Sequence, residues 1–248
     1  IKKNGFLIKK DFFTIKQIDK YERQLVFFIY IYFKKYSHKI SKKAKNILNL
    51  KSKDFRIKAI RLLAEIEEFD KKFFYEISIL IGTIFGFTTS DMTKKNILFL
   101  KNYFGKNILT MQKINPVLLF SKKNLSRLNY EWHQESHYYP KHNIGLHLWI
   151  PLFRDIKKDN DGSLKFAIGS QKKNYKYKTY KPKDGWTQKK PNINVEKKFK
   201  TYSIKLNRGD VVFFENKLLH KTDVQLNDLP RVAIVIRYVS SNKAEAFR

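Results

Sequence analysis

The chain has no cysteine among its 248 residues. This absence excludes disulfide bonds, thiolate zinc sites, iron–sulfur clusters and cysteine nucleophiles, and it gives no sign of an oxidising compartment. Long apolar runs are missing too. The longest run, Leu25 to Phe33, has nine residues, whereas a membrane-spanning helix needs about 20. The basic start of the chain lacks the apolar stretch of a signal peptide. We therefore expect a cytoplasmic protein without a membrane span.

Acidic residues are scarce: 22 Asp and Glu stand against 52 Lys and Arg, which gives a formal net charge of +30. Two interpretations stay open. A genome rich in A and T produces a lysine-rich composition without any selection for a partner, whereas a field of this size also steers anions. The 42% of apolar residues exclude a disordered composition. The length fits one domain.

The hydrophobic period is helical from Thr14 to about Gly86, in two segments that Lys51–Asp54 separates. A third, buried helix is predicted at Phe74–Phe85, and a cap for a further short helix at Thr89–Asp91. The recurring apolar residues are Ile18, Tyr21, Leu25, Phe28 and Tyr32 in the first segment and Ile57, Ile60, Leu63, Ile66 and Phe69 in the second.

After about Pro116 the pattern shortens to strand-like runs with turn signals between them. The arrangement predicted is a helical N-terminal half packed on a sheet, which is an α+β fold or a barrel. The predicted strands are Val117–Phe120, Leu128–Glu135, Ile144–Phe153, Leu164–Ile168, Thr201–Leu206, Val211–Phe214, Leu218–Val224 and Arg231–Val239.

Two histidines and one glutamate are candidate metal ligands. His133 and Glu135 are two residues apart, so on a strand both side chains point to one face. His220 lies 87 residues later in another predicted strand. Two histidines and one carboxylate are the ligand set of a facial-triad iron(II) site. The alternative is a surface strand whose polar residues face water.

Downstream of His220, a hydroxyl and a guanidinium are predicted to converge. If Leu218–Val224 pairs with the next strand as an antiparallel hairpin, Thr222 lies near Ala233, with Arg231 one pleat away on the same face. A guanidinium fork and a hydroxyl suit the distal carboxylate of a bound diacid. The alternative is that Arg231 reaches solvent, and Arg237 is the next candidate for the carboxylate.

These residues resemble the phytanoyl-CoA dioxygenase (PhyH) family. The resemblance extends over nearly the whole chain, and the eleven-residue step from His220 to Arg231 is characteristic of the family. The motifs that carry it are Gly5–Ile8 with Asp11–Phe13, Trp132–Glu135, Leu148–Leu152, Asp161–Leu164 leading to Gly169-Ser170, and Gly209–Phe214 leading to His220 and Arg231.

The resemblance implies an α+β fold with a double-stranded β-helix (jelly-roll, cupin-like) core and packed N-terminal helices. We expect one oxygenase domain over residues 1–248, mainly helical over 1–115, with the core and the metal site in 116–248. The implied cofactors are iron(II), 2-oxoglutarate as co-substrate and dioxygen. The implied metal ligands are His133, Glu135 and His220, and the implied co-substrate residues are Arg231, Thr222 and Trp149.

The implied activity is a dioxygenase that hydroxylates a C–H bond of a small metabolite. His147 shares a strand face with Trp149 and is expected to contact substrate, unless it faces solvent. Gln134, between two ligands, is a further substrate candidate. Lys172 and Lys173 open a segment, residues 171–200, with eleven lysines and no clear periodicity. This segment is either a lid over an anionic substrate bearing a phosphate, nucleotide or CoA group, or a solvated loop.

Three departures from the family pattern stand out. Glu135 occupies a position where the family usually has aspartate, Ile168 and Gln171 alter the turn at Gly169, and the strand Val117–Phe120 offers no polar contact. His137 is expected at the surface. The alternative function is a non-catalytic basic jelly-roll module for nucleic acid or another polyanion. The complete ligand set disfavours it, so we do not expect nucleic acid as a partner.

Overall fold

The structure is a computed structural model that describes residues 1, 3–69, 80, 98–102, 108–109, 117–121, 123, 129–138, 145–157, 159, 161–182 and 187–240. The predicted third helix lies outside these residues except for Leu80, which is helical. The predicted cap at Thr89–Asp91 lies outside them as well.

Three long helices open the fold: α1 (Ile15–Tyr36), α2 (His38–Leu48) and α3 (Ser52–Phe69). The α1 helix begins at a capping box, in which the Thr14 hydroxyl accepts from the backbone N–H of Gln17 and the Gln17 side chain accepts from that of Thr14. The first predicted helical segment thus holds two helices, because α1 ends at Ser37, which also caps α2.

Eleven strands follow or precede these helices within the described residues. They are β1 (Phe6–Lys9), β2 (Ile108–Leu109), β3 (Val117–Ser121), β4 (Gly145–Leu152), β5 (Leu164–Ala167), β6 (Tyr177–Tyr180), β7 (Gln188–Pro191), β8 (Thr201–Ser203), β9 (Val211–Glu215), β10 (His220–Thr222) and β11 (Arg231–Ser240). Short helical turns lie at Glu135–His137 and Ser170–Lys172, both 3-10, and at α4 (Val195–Lys198).

Nine of the eleven strands form two antiparallel sheets that pack face to face. The main sheet has the order β1-β9-β4-β11-β2, and β3 also pairs with β11. The smaller sheet has the order β10-β5-β8, and β6 pairs with β7 apart from both. Because β1 pairs with β9, the first residues of the chain belong to the main sheet, which the sequence patterns did not predict.

Strand β4 shows how the sheets and helices form layers. Its even-numbered residues, such as Leu148 and Ile150, join the core that includes the buried face of α1. Trp149 points the other way, into a second core between the two sheets, where it meets Val212 of β9 and Phe166 of β5. Every residue of β4 is buried because both faces are covered.

The predicted strand Leu128–Glu135 is wrong. In the described part of this segment, residues 129–135, His133 makes only an isolated bridge to His220, and a 3-10 helix begins at Glu135. The bridge does not continue beyond His133 because the next two carbonyls, of Gln134 and Glu135, accept from the N–H groups of His137 and Tyr138 within the 3-10 turn.

The predicted hairpin of the last two strands is wrong as well. Strand β10 pairs with β5, Thr222 opposite Leu164, whereas β11 pairs with β4 and β3. The residues between β10 and β11 therefore cross from the smaller sheet to the main sheet. Local alternation of polar and apolar residues predicts a strand, but it does not specify the partner.

The lack of periodicity in the 171–200 segment predicts a loop. The described part of the segment is instead partly structured. It contains a 3-10 turn, the pair β6 and β7, and α4. The β6 residues are largely exposed on both faces. Such a strand needs no apolar alternation, so its period is invisible in the sequence.

Candidate metal centre

His133 and His220 are held opposite each other by their own backbones. The His133 N–H donates to the His220 carbonyl at 2.9 Å, and the His220 N–H donates to the His133 carbonyl at 3.0 Å. The imidazole centroids are 4.2 Å apart. Gln134 is extended, with φ −116° and ψ 135°, so Glu135 points to the same side as His133 even without a ladder.

The three candidate ligands converge on one point. One ligand atom from each of His133, Glu135 and His220 lies within 4.8 Å of the others, and all three residues are buried. Glu135 Oε1 is 3.7 Å from Nε2 of His133 and 3.9 Å from Nε2 of His220. This convergence brings together the three residues predicted from the sequence.

Backbone carbonyls fix the tautomer of both histidines. His133 Nδ1 is 2.6 Å from the Glu131 carbonyl, and His220 Nδ1 is 2.9 Å from the Leu218 carbonyl. A carbonyl only accepts, so each Nδ1 carries the proton and each Nε2 presents a lone pair to the centre. No sequence pattern could reveal these contacts, because any residue has a carbonyl.

The charge states also suit a cation. Burial by itself would raise the pKa of Glu135, but the positive charge of the Arg237 guanidinium holds that pKa well below its ordinary value. Burial, together with nearby His133, lowers the pKa of His220 well below its usual range. An anionic carboxylate and neutral imidazoles are the forms that bind a divalent metal.

Arg237 was predicted only as the second candidate, after Arg231, for the carboxylate of a bound diacid. It lies opposite His147 in the β11–β4 register, and its Nε donates to Glu135 Oε2 at 3.3 Å. It therefore approaches the candidate ligand itself. Strand alternation is the sequence signal that points to Arg237, because Arg237 and Arg231 are an even number of residues apart on β11 and so lie on the same face.

Arg231 is buried as a cation and is 1% exposed, which excludes the alternative that it reaches solvent. Its Nε donates to the Gly162 carbonyl at 2.7 Å, and its guanidinium lies 5.6 Å from the Trp149 ring centroid. Among the described residues none bonds to its Nη1. Burial, and to a lesser extent Arg154, lowers the pKa of Arg231 to about 9, so it is charged at neutral pH. Such a group suits an anion.

His147 and Trp149 both face the core between the two sheets, and His147 is 3% exposed rather than solvent-facing. The His147 ring stacks on Phe214 at 5.0 Å, and its Nε2 lies 3.4 Å from Asn216 Oδ1. Burial lowers the pKa of His147 to about 4, with Arg237 contributing to the lowering against the opposite effect of Glu135. His147 is therefore neutral at neutral pH.

Thr222 does not meet Arg231 through a hairpin, because β10 and β11 belong to different sheets. Its hydroxyl accepts from the Tyr130 N–H at 3.3 Å, and its own N–H donates to the Tyr130 carbonyl at 2.8 Å. These bonds hold the start of the segment that carries His133. These bonds do not use the O–H proton of Thr222, so its contact with a carboxylate stays a prediction.

Gln134 is fully buried, and its amide is used by backbone groups. It donates to the carbonyls of Lys173 and Lys217 and accepts from the N–H of Tyr175. These bonds favour a role in holding the ligand segment over the predicted contact with substrate. The side chains of Lys172 and Lys173 are exposed.

The expectation that His137 is at the surface is wrong. His137 is 5% exposed, and its Nε2 lies 2.8 Å from the Tyr175 carbonyl. Lys189 of β7 donates to the His137 carbonyl and lies over the rings of Tyr138 and Tyr177. The β6–β7 pair is thus fastened to the 3-10 turn that begins with Glu135.

The sequence profile of the phytanoyl-CoA dioxygenase (PhyH) family matches residues 1–233. The chain belongs to this family. PhyH enzymes are oxygenases that use iron(II), 2-oxoglutarate and dioxygen, and the His133–Glu135–His220 cluster has the donor set that such a metal requires. No curated protein sequence matches the chain.

Three solved structures share the fold of this PhyH family member. The α-ketoglutarate dependent epimerase SnoN from nogalamycin biosynthesis aligns with a TM-score of 0.53 at 11% identity, over 96% of this chain and 79% of SnoN. EctD from S. alaskensis aligns with 0.53 at 11%, over 97% and 75%. The non-heme monooxygenase ThoJ aligns with 0.56 at 10%, over 96% and 75%.

At these identities the likeness concerns the fold, and it confirms the predicted α+β double-stranded β-helix with N-terminal helices. The smaller β10-β5-β8 sheet and the main sheet are the two layers of that core. Within the described residues, no helix is both long and apolar enough to cross a membrane.

Proposed function

We propose that this PhyH family member is an iron(II)/2-oxoglutarate-dependent dioxygenase that hydroxylates a C–H bond of a small, anionic metabolite. The observation that carries the proposal is the meeting of two Nδ1-protonated histidines and an anionic Glu135 at one buried point, together with a buried, cationic Arg231 whose Nη1 has no partner in the described part of the chain.

In this proposal His133, Glu135 and His220 hold the iron. Bound iron(II) would supply the activation of dioxygen, coupled to the conversion of 2-oxoglutarate to succinate and carbon dioxide. The protein's own contribution is to fix three ligands on one side of the metal and leave the other positions open. The apolar core between the sheets, with Trp149 and Val235 in it, keeps the site dry.

Arg231 binds the distal carboxylate of 2-oxoglutarate in this proposal. Its Nε bond to Gly162 fixes the guanidinium plane, so that Nη1 is available for a charge-assisted bond. The guanidinium carbon of Arg231 also lies over the Trp149 ring, 5.6 Å from its centroid. Thr222, whose hydroxyl oxygen accepts from the Tyr130 N–H, donates its own proton to the same carboxylate in this proposal.

Hydroxylation is the outcome that Glu135 favours. Halogenases built on this scaffold lack the carboxylate, so that a halide takes its place, whereas here the carboxylate is present and oriented. We place the substrate next to His147, whose buried Nδ1 has no partner among the described residues and faces the same core as Trp149. Lys172 and Lys173 contribute positive charge at the surface, which suits an anionic substrate.

We further propose a single oxygenase domain over residues 1–248. The pairing of β1 with β9 and the shared core of α1 with β4 support it, since both join residues before 115 to the jelly-roll core after 116. A cytoplasmic location stays a prediction. The non-catalytic basic module is disfavoured because binding polyanions at a surface requires neither a buried ligand cluster nor a buried arginine.

Anaerobic titration with iron(II) and then 2-oxoglutarate tests the proposal. Wild type should show the weak visible charge-transfer band of a chelated 2-oxo acid, and His133→Ala should lose it together with more than about 100-fold in iron affinity. The matched control is His38→Ala, an exposed histidine on α2. If wild type gives no band, the enzyme proposal fails. Screening anionic metabolites for substrate-stimulated succinate formation then identifies the substrate.

A further inference from the structure

The two oxygens of Glu135 face different groups. Oε1 faces the histidine pair, at 3.7 Å from Nε2 of His133 and 3.9 Å from Nε2 of His220. Oε2 accepts a hydrogen bond from Nε of Arg237 at 3.3 Å. The side chains of Glu135 and Arg237 are 11% and 12% exposed, so water competes little for this bond.

Whether Glu135 binds a metal through one oxygen or through both would decide how many coordination positions stay open for 2-oxoglutarate and dioxygen. Iron(II) held by one atom from each of three protein ligands would keep three positions, which is what a chelating 2-oxo acid and dioxygen together need. A carboxylate also binds metals through both oxygens. If Glu135 bound in that way, only two positions would remain. Glutamate is one methylene longer than the aspartate usual in the family, so its second oxygen has more freedom to turn towards the metal.

We propose that Arg237 is a positioning residue that keeps Glu135 a one-oxygen ligand by holding Oε2 away from the metal. This inference rests on the proposed iron site. The β11–β4 register places Arg237 opposite His147, on the strand that also presents Arg231. A fixed strand therefore sets the direction in which the guanidinium pulls Oε2. Because Arg237 donates to Glu135 in this proposal, Arg231 is the residue that binds the carboxylate of 2-oxoglutarate.

The test compares wild type with Arg237→Met and Arg237→Lys, using the same anaerobic titration. In Arg237→Met the affinity for iron(II) alone should change by less than about threefold, whereas 2-oxoglutarate should bind about 10- to 100-fold more weakly, with a weaker visible band. Arg237→Lys, which keeps a cationic donor, should recover part of the 2-oxoglutarate affinity. Equal losses of iron and 2-oxoglutarate affinity, or no loss of either, would overturn the proposal.

A double variant distinguishes an Arg237 that positions Glu135 from an Arg237 that binds 2-oxoglutarate directly. In Glu135→Asp/Arg237→Met the shorter carboxylate no longer spans to the open position, so the 2-oxoglutarate affinity should return to within about threefold of Glu135→Asp alone. If the affinity stays low, Arg237 contacts 2-oxoglutarate itself and the proposal is wrong. If Arg237→Met does not fold, Arg237→Gln takes its place with the same expected pattern. Failure of wild type to bind iron would instead refute the proposed function.

Discussion

His133 and His220 lie opposite each other across an isolated bridge of two reciprocal backbone hydrogen bonds, of 2.9 and 3.0 Å. This bridge brings two imidazoles from positions 87 residues apart in the sequence to a centroid distance of 4.2 Å. The main-chain bonds do not depend on a metal, so the histidine pair is preorganised. Such preorganisation reduces the conformational entropy lost on binding a metal.

Arg231→Leu should weaken 2-oxoglutarate binding by about one to two decades, because a charge-assisted contact contributes about 1.5–3 kcal/mol. Iron binding should be nearly unchanged. Without 2-oxoglutarate the variant should be at least as stable as wild type, since a buried cation with an unpartnered Nη1 is replaced by an apolar side chain. Titration of the visible band and thermal unfolding measure these effects.

The matched control for that prediction is Arg231→Lys, which keeps the charge but loses the planar fork. It should lie between wild type and Arg231→Leu in 2-oxoglutarate affinity. An unchanged 2-oxoglutarate requirement in Arg231→Leu would place the carboxylate elsewhere in the barrel.

The candidate metal ligands could be predicted from spacing, although the local structure assumed for them was wrong. His133 and Glu135 were assigned to a strand, and they share a direction because one extended residue, Gln134, lies between them. Alternation over a single residue needs no ladder. Residue types and spacing therefore identified His133 and Glu135, His220 was added as a histidine of another predicted strand, and the family resemblance then implied all three.

Contacts between segments distant in the sequence could not be predicted from local patterns of residues. The β10 strand pairs with β5 rather than with β11, and the Thr222 oxygen accepts a bond from the Tyr130 N–H, neither of which the sequence predicted. The exposed β6 strand has no apolar alternation to reveal it. Both cases depend on which segments meet in space, and local periodicity carries no information about that.

His147 should make the metal-free protein sensitive to acid. Its pKa in the folded state is lowered by burial to about 4, from an ordinary 6.5. Between these values the unfolded chain binds the proton first, so stability is complete above about pH 6.5 and falls as the pH drops towards 4. This single group accounts for a loss of about 3 kcal/mol.

The measurement is the free energy of urea unfolding of wild type and His147→Gln between pH 7 and 4, with a chelator present. The stability of wild type relative to the variant should decline across this window, because glutamine does not titrate. Parallel pH curves would show that His147 is not held neutral by the fold.

Arg208 joins α1 to the turn before β9, and its loss should be costly. Its Nε and Nη2 donate to the two carboxylate oxygens of fully buried Glu22 at 2.9 and 2.7 Å, and it also contacts Asp19. Burial raises the pKa of Glu22 against the opposing effect of Arg208. Arg208→Met leaves a buried carboxylate without its cation and should lower the free energy of unfolding by about 3–5 kcal/mol.

Two comparisons check the origin of that loss by urea unfolding at neutral pH. Lys43→Met breaks the exposed pair with Glu65 and should cost less than about 1 kcal/mol. Glu22→Gln/Arg208→Met removes both charges and should be more stable than Arg208→Met alone. A double variant as unstable as the single one would attribute the loss to packing rather than to charge.

The lysines of the 171–200 segment give the prediction about substrate. Lys172, Lys173, Lys176 and Lys178 are all exposed, in the region that fastens to the ligand segment through Gln134 and Tyr175. If their charge steers an anionic substrate, replacing all four with serine should raise the substrate concentration required, while turnover of 2-oxoglutarate without substrate stays unchanged. In wild type the apparent substrate affinity should fall steeply between low and physiological salt, where the screening length is about 8 Å.

The matched control for the lysine prediction removes the same charge far along the chain, at the exposed Lys39, Lys42, Lys45 and Lys53 of the helical layer. Both quadruple variants have a net charge lower by four, so a general effect of protein charge would appear in both. A local steering role predicts a raised substrate requirement and a weaker salt dependence in the 171–200 variant alone, because screened charges act over about a Debye length. Equal behaviour of the two variants, or salt-independent turnover of a neutral substrate, would show that these lysines form only a charged surface.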